Sequence, residues 1–293
     1  MRISNPDIVA DPSGSAHRRW MMASGPAPRL ILNCDDFGSC LAANDGIEQA
    51  LTEGLATSAS VMVPCAWAYD ACQRAREHPE WSIGLHLTLS CEWQRLRWRP
   101  VLARAIPSLC GPDGFCWSTP AEMREHVQPE EALAECQAQI EQFLAWGARP
   151  THLDCHMGVM YGEPEFFEVY LELATRYDLP VRLIGERELA ARGSRARDLA
   201  KRRGIRSPDD LLNAPRRAAG EDLRAYLLRT LGDLPPGSTS EVFFHPATAG
   251  PELDACARDP QVRARDLLWL TGDAELRAAF ERHGVKRINW RDL

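Results

Sequence analysis

The chain has 293 residues and a mass of 32.8 kDa, which fits one large α/β domain or two domains of ordinary size. Apolar residues make up 45% and charged residues 26%, which excludes a disordered, collagen-like or coiled-coil chain. The formal net charge of −7 leaves no overall positive field that would bind nucleic acid or an anionic membrane. No apolar stretch approaches the roughly 18 residues of a membrane-spanning helix.

Residues 1–28 are polar and contain Pro, Gly and Ser, with only a short apolar cluster at residues 20–22. They lack the apolar segment of a secretory signal peptide, so we predict a loose leader and a cytoplasmic protein. A single domain is expected from residue 29 to residue 293. The ten cysteines form no C-x-x-C motif and are interpreted as free buried thiols, with a nucleophilic cysteine as the alternative.

Short apolar runs alternate with helical patterns through most of the chain. The predicted strands are Arg29–Cys34, Ser58–Val63, Ile83–Leu89, Pro150–Cys155, Pro180–Ile184, Glu241–His245 and Val285–Asn289. The predicted helices are Asn44–Leu55 with Asn44 as its cap, Asp70–Glu77, Glu130–Trp146, Pro164–Tyr177, Glu186–Arg203, Glu221–Leu231, Asp266–Leu270 and Ala274–His283. This alternation predicts an α/β fold with a parallel sheet, either a barrel or a doubly wound sheet.

Residues 91–128 interrupt this alternation. Trp93, Trp98, Phe115 and Trp117 lie there among Pro, Gly and charged residues, without clear periodicity. Such a long connection is unusual and favours a functional segment. Its aromatic rings could stack on sugar faces or form a small satellite core beneath the loop.

Polar side chains collect where predicted strands end, the edge at which parallel α/β folds place their active sites. His152, Asp154 and His156 share one face of a strand at a period of two. Three such groups on a buried strand are costly without partners, so a metal or catalytic site is favoured over a buried His–Asp pair. A carboxylate with two imidazoles suits Zn²⁺, Mn²⁺, Co²⁺ or Fe²⁺ and leaves positions open for water and substrate.

The first strand runs directly into Asp35-Asp36-Phe37-Gly38. A plain turn is one interpretation, because Asp and Gly are common turn residues. The other is functional: one of the two carboxylates binds a metal while its neighbour, Asp35, acts as a base.

Four ordered segments resemble the YdjC-like carbohydrate deacetylase family, which includes the chitooligosaccharide deacetylases. The segments are Asn33–Gly38, Gly84–Leu87, Thr151–Gly158 and Phe244–Pro246, and the resemblance covers about residues 29 to 290. It implies an α/β fold, a distorted or incomplete (β/α) barrel of polysaccharide-deacetylase type. The resemblance also implies one divalent metal ion, for which Zn, Mg, Mn and Co remain open.

Carried over by position, the resemblance makes Asp36, His86 and His156 the metal ligands, Asp35 the base and His245 the acid that protonates the leaving amine. Supporting or substrate-binding residues are then Asp154, His152, Arg182, Trp93 and Trp98. Asp154 could orient an imidazole, and Arg182 could either pair with Asp35 or form a purely structural salt bridge.

The implied partner is an N-acetylated sugar, with neither nucleic acid nor a membrane bound and with a homodimer left open. The segment from residue 90 to residue 100 departs from the chitooligosaccharide branch, which leaves the sugar undefined. Two alternatives are a metal-dependent amidase or phosphoesterase acting on a non-carbohydrate, and a sugar-binding protein without catalysis.

Overall fold

The computed structural model describes residues 25–102, 106–161, 163–184, 196–212 and 222–293. Within them the strands are β1 (Arg29–Phe37), β2 (Ser58–Val61), β3 (Ser82–Leu87), β4 (Leu153–Cys155), β5 (Asp210–Leu211), β6 (Thr239–Phe244) and β7 (Lys286–Ile288). The helices are α1 (Leu41–Thr52), α2 (Ala68–Glu77), α3 (Pro120–His126), α4 (Pro129–Ala145), α5 (Pro164–Tyr177), α6 (Ala196–Arg202), α7 (Leu223–Thr230), α8 (Pro251–Cys256), α9 (Pro260–Gly272) and α10 (Ala274–Arg282). Most of the predicted leader, residues 1–24, lies outside the described residues.

All strand pairs are parallel, in the order β4-β3-β2-β1-β6-β5, with β7 also paired to the start of β1. Across the described residues the sheet stays open between its edge strands β4 and β5 and forms a half-barrel. This confirms the predicted α/β fold with an incomplete barrel. No helix in these ranges has the length and apolarity needed to cross a bilayer.

The central strands are buried on both faces, as parallel strands covered by helices usually are. In β1, Leu30, Leu32 and Cys34 join the main apolar core, whereas the alternate residues Asn33 and Asp35 form buried hydrogen bonds on the other face. One face of the sheet therefore supplies packing and the other supplies a polar interior.

Two expectations for the turn after β1 need correction. The strand continues through Asp35 and Asp36 to Phe37 with a register shift, so the segment is an irregular strand end rather than a plain turn. Asn44 does not cap α1, which begins at Leu41. Its side chain accepts a hydrogen bond from the Gly38 N–H at 2.7 Å and donates to a carbonyl and a carboxylate near α2, so it fixes the chain where β1 ends.

Other boundaries also differ from the predictions. Of the predicted strand Pro180–Ile184, only Val181 pairs with the sheet, through one bridge to Leu153. The carbonyls of Leu183 and Ile184 accept hydrogen bonds from the Arg197 side chain instead of from a neighbouring strand. The sequence patterns missed β5, α3 and α8, and α9 starts six residues before the predicted helix. Part of the predicted helix Glu186–Arg203 lies outside the described residues, and its last part is α6.

Candidate active site

The carboxyl ends of β1, β3 and β6, and the residues that follow β4, open onto one cavity of about 640 Å³. Its lining includes Asp35, Asp36, His86, His156 and His245, which come from four separate segments of the chain. This volume lies within the range of about 300–1,000 Å³ typical of small-molecule sites. The cavity therefore lies where parallel α/β folds bind their ligands.

Three ligand-type atoms converge inside this cavity. The Oδ1 atom of Asp36 lies 3.5 Å from Nε2 of His86 and 3.4 Å from Nδ1 of His156, and the three side chains present ligand atoms within 4.8 Å of one another. Donor atoms bonded to one tetrahedral zinc at about 2.0–2.2 Å lie about 3.3–3.6 Å apart. Asp36 Oδ1 is buried and has no hydrogen-bond partner in the described structure, so the donor set and its spacing fit a divalent cation.

The irregular end of β1 explains how two adjacent aspartates reach the same cavity. In a regular strand, the neighbouring side chains of Asp35 and Asp36 would point to opposite faces of the sheet. The register shift between Cys34 and Phe37, together with a φ of 68° at Asp36, turns the second carboxylate toward the cavity as well. Aspartate adopts this left-handed conformation more readily than most residues do.

His86 is oriented by the carboxylate of Asp154, which accepts a hydrogen bond from Nδ1 at 2.7 Å. Because an ionised carboxylate only accepts, Nδ1 carries the hydrogen, and the neutral ring presents the lone pair of Nε2 to the cavity. The Ser60 hydroxyl donates to the other oxygen of Asp154 at 2.7 Å. Arg182, followed by His86, holds the pKa of Asp154 well below its usual range despite its burial.

His156 and Asp36 are held by partners that were not predicted. Glu92 accepts a hydrogen bond from Nε2 of His156 at 2.7 Å, and Arg263 donates to Oδ2 of Asp36 at 2.7 Å. Burial alone would lower the pKa of His156, but Glu92 and Asp36 raise it to about 10. Burial would raise the pKa of Asp36, but Arg263 and His156 lower it well below its usual value. Asp36 is therefore ionised, and the two carboxylates beside His156 favour positive charge at its ring.

Arg182 joins the cavity to the polar interior of the half-barrel. Its guanidinium donates to both oxygens of Asp35 at 2.7 Å, and it also lies 3.1 Å from Asp154 and 2.7 Å from Glu241. Asn33 donates a further hydrogen bond to Asp35 at 2.8 Å. Arg182 thus pairs with Asp35 and is at the same time the centre of a buried ion-pair network.

A family model described as YdjC-like protein matches residues 29–282. The chain belongs to the YdjC-like family. The resemblance seen in the four ordered segments is thereby confirmed.

Relatives of this YdjC-like chain include the carbohydrate deacetylase of Geobacillus stearothermophilus, 32% identical over 263 residues that cover 90% of this chain and 97% of the relative. The carbohydrate deacetylase of Enterococcus faecalis is 31% identical over 271 residues, covering 90% and 98%. A crystal structure from Enterococcus faecalis, of a candidate cellobiose-phosphate cleavage protein, has a TM-score of 0.78 at 30% identity and covers 91% and 98%. An uncharacterised protein of Agrobacterium tumefaciens, with a TM-score of 0.52 at 14% identity over 92% and 91%, shares the fold.

His245 lines the cavity of the YdjC-like site from the end of β6. Its backbone N–H donates to Asp266 at 3.0 Å, which fixes the chain at this point. The imidazole contacts the ring of Phe243 edge-on, with 5.4 Å between ring centroids. The side chain is partly exposed, so it can meet a bound molecule.

The two predicted tryptophans differ in their positions. Trp93 lines the cavity, and the guanidinium of Arg263 lies 5.3 Å from its ring centroid. Trp98 is buried behind it, contacts the ring of His156 edge-on and donates through Nε1 to the Ser90 carbonyl. Both belong to a small apolar cluster separate from the main core, which is the satellite core considered for this segment.

His152 does not line the cavity. It is fully buried, stacks on Trp290 with 4.3 Å between ring centroids, and lies 3.8 Å from Asp154 through Nε2. Burial lowers the pKa of His152 to about 3, so the ring is neutral. In the structure it packs against the C-terminal turn that contains Trp290.

The sequence patterns did not identify four residues that pair with the site residues and hold them in place. Glu92 lies in the segment without periodicity, Arg263 on a helix, and Glu241 and Ser60 inside strands. Only position gave an indication: Ser60 and Glu241 occupy alternate positions of buried strands, where a polar residue needs a partner. Nothing in the sequence links Glu92 or Arg263 to the site.

Proposed function

We propose that this protein is a metal-dependent hydrolase that removes an N-acetyl group from an amino sugar or oligosaccharide. In this proposal Asp36, His86 and His156 bind one divalent ion, Asp35 is the base and His245 is the acid. The main support is the unpartnered Oδ1 of Asp36, which faces two imidazole nitrogens at distances that match donors around one ion. The relatives named carbohydrate deacetylase support the substrate class.

The cavity has the composition expected for a sugar site. Its lining combines the rings of Trp93, Tyr161 and Phe243 with charged side chains. Sugar rings present apolar C–H faces that pack on aromatic rings, while their hydroxyls need polar partners. The exposed Met157, with a φ of 54°, adds an apolar group to the lining.

When bound, the divalent ion would polarise the acyl oxygen and lower the pKa of a water molecule. Asp35 accepts the proton of the attacking water, and its two bonds to Arg182 keep the carboxylate oriented. His245 donates a proton to the departing nitrogen, so the amine leaves neutral. The products are acetate and a free amino sugar.

The test is acetate release from a panel of N-acetylated oligosaccharides by metal-free protein and by protein loaded with Zn²⁺, Mg²⁺, Mn²⁺ or Co²⁺. We expect release only with metal, loss on chelation and recovery when metal is returned. Asp35→Asn and His245→Gln should each lower turnover by about 10²–10⁴-fold while metal content stays unchanged.

Other outcomes would contradict this function. Sugar binding with full metal content and no acetate release would favour a binding protein. Two metal equivalents per chain, with release of phosphate from phosphoesters, would favour phosphoesterase chemistry. Full metal content and activity in an Asp36→Ala variant would refute the ligand assignment.

A further inference from the structure

Glu92 is not among the predicted site residues, yet it touches one of the three proposed ligands. Its carboxylate is 2.7 Å from Nε2 of His156, and the side chain also lines the cavity. Because an ionised carboxylate can only accept, the hydrogen of this bond belongs to Nε2. A neutral His156 in this arrangement presents the lone pair of Nδ1 to the cavity.

In the neutral form that metal binding requires, the two proposed histidine ligands are therefore held in opposite tautomers. Asp154 holds the hydrogen of His86 on Nδ1, which leaves Nε2 facing Asp36 at 3.5 Å. Glu92 holds the hydrogen of His156 on Nε2, which leaves Nδ1 facing Asp36 at 3.4 Å. The partner on the second ring nitrogen decides which nitrogen of a histidine can bind a metal.

Several contacts of the loop fix the position of Glu92. The N–H of Cys91 donates to the Trp117 carbonyl at 2.7 Å, and Ser90 forms an isolated bridge with the same residue. Trp98 donates to the Ser90 carbonyl at 2.9 Å and packs edge-on against the ring of His156. The residues just before Glu92 are thus held by Trp117 and Trp98, and Trp98 in turn contacts the ring of His156.

We propose that Glu92 is a positioning residue that fixes the Nε2–H tautomer of His156, so that this histidine binds the metal ion through Nδ1. The segment 91–128 then contributes to metal affinity as well as to the cavity wall. This inference rests on the metal site of the proposed function, but it concerns a residue outside the ligand set.

The test uses metal-free full-length protein titrated with Zn²⁺ against a competing chelator. Glu92→Ala removes the acceptor and should weaken Zn²⁺ binding by about 10–100-fold, the usual effect of losing such a partner. Glu92→Gln keeps an acceptor oxygen without the charge and should lose less, which separates the hydrogen bond from the charge. Glu131→Gln is the matched control, because Glu131 holds the same segment through Ser108 and touches none of the three ligands.

A spectroscopic measurement reads the tautomer directly. In Zn²⁺-loaded protein with ¹⁵N-labelled histidine, the long-range ¹H–¹⁵N spectrum should show the hydrogen of His156 on Nε2 and the metal on Nδ1, and Glu92→Ala should perturb this pattern. A thermal melt of each metal-free variant checks folding separately.

Three results would overturn the inference about Glu92. One is Zn²⁺ affinity of the folded Glu92→Ala variant within twofold of the parent protein, and another is Nε2 of His156 as the metal-bound atom. The third is a loss in Glu92→Gln as large as that in His156→Ala, which would make Glu92 itself a ligand. If the parent protein binds no divalent ion at all, the proposed function fails first, so the two failures are distinguishable.

Discussion

Replacing Arg182 with methionine tests the buried ion-pair network that supports the proposed base. Arg182 is 2% exposed and has carboxylate oxygens of Asp35, Asp154 and Glu241 within 3.1 Å. Arg182→Met keeps an unbranched side chain of similar reach but leaves three carboxylates in the protein interior without their cation. Removing one partner of a buried ion pair typically costs 3–5 kcal/mol, so at pH 8 we expect a loss of about that size.

The sign of the pH dependence follows from the same network. Carboxylates without a cation have a pKa raised above the unfolded value, so their contribution to stability is retained at low pH and lost as pH rises. The stability that Arg182→Met loses relative to the parent protein should therefore become smaller between pH 8 and pH 5. The change is about 1.4 kcal/mol for each pH unit across which an unpaired carboxylate is protonated in the folded but not in the unfolded protein.

Urea unfolding of the metal-free protein, followed by tryptophan fluorescence, measures both effects without stabilisation by bound metal. Arg176→Met is the control, because this exposed arginine pairs with Glu172 and should change stability by less than about 1 kcal/mol. A deficit below 1 kcal/mol at pH 8, or one that grows as pH falls, would refute the reasoning about Arg182.

Three further predictions concern single positions. Burial, opposed by Arg182, raises the pKa of Glu241 to about 7, so its stabilising contribution is lost as pH rises from 4.5 to 7. Over that window the free energy of unfolding of Glu241→Gln should rise relative to that of the parent protein, by roughly 3 kcal/mol at most. A difference that does not change with pH would contradict this. In Gly84→Ala the added methyl would lie 2.4 Å from the ring of His152, so the protein should lose about 1–3 kcal/mol of stability and melt at a lower temperature. Gly250→Ala, with open space at its Cβ, is the control and should not show this loss. Asn44→Ala leaves the turn after β1 without its side-chain acceptor, and calorimetry should show a loss of about 1–3 kcal/mol; an unchanged transition would show that the bond is not needed.

The sheet and the site residues at its strand ends could be predicted, because both follow from local sequence patterns. His86 and the Asp35-Asp36 pair lie at strand ends, and the carboxyl ends of parallel strands meet at one edge. The strand predicted at Pro180–Ile184 failed for a physical reason that no local pattern contains. The side chain of Arg197 donates to the carbonyls of Leu183 and Ile184, so this run forms only one bridge to the sheet.

The partners of His156 and Asp36 could not be predicted, because residues far apart in the sequence pair only in the folded chain. Glu92 is 64 residues from His156, and Arg263 is 227 residues from Asp36. Each resembles an ordinary surface charge in the sequence, since glutamate and arginine are common in loops and on helices. Only the fold reveals that each pairs with one of the proposed metal ligands.

The backbone at the end of β1 departs from regular strand geometry within the candidate site. A regular strand would place only one of the two adjacent aspartates in the cavity, and a non-glycine residue with a φ of 68° carries a conformational cost. The surrounding structure offsets this cost through contacts on both sides: Arg263 pairs with the carboxylate of Asp36, and Met62 donates a backbone hydrogen bond to the Phe37 carbonyl. Irregular backbone that is held by such distant contacts is typical of functional sites rather than of packing. The distortion therefore has a chemical rationale, because it provides two carboxylates with separate partners at one point, Asp35 with Arg182 and Asp36 with two imidazoles.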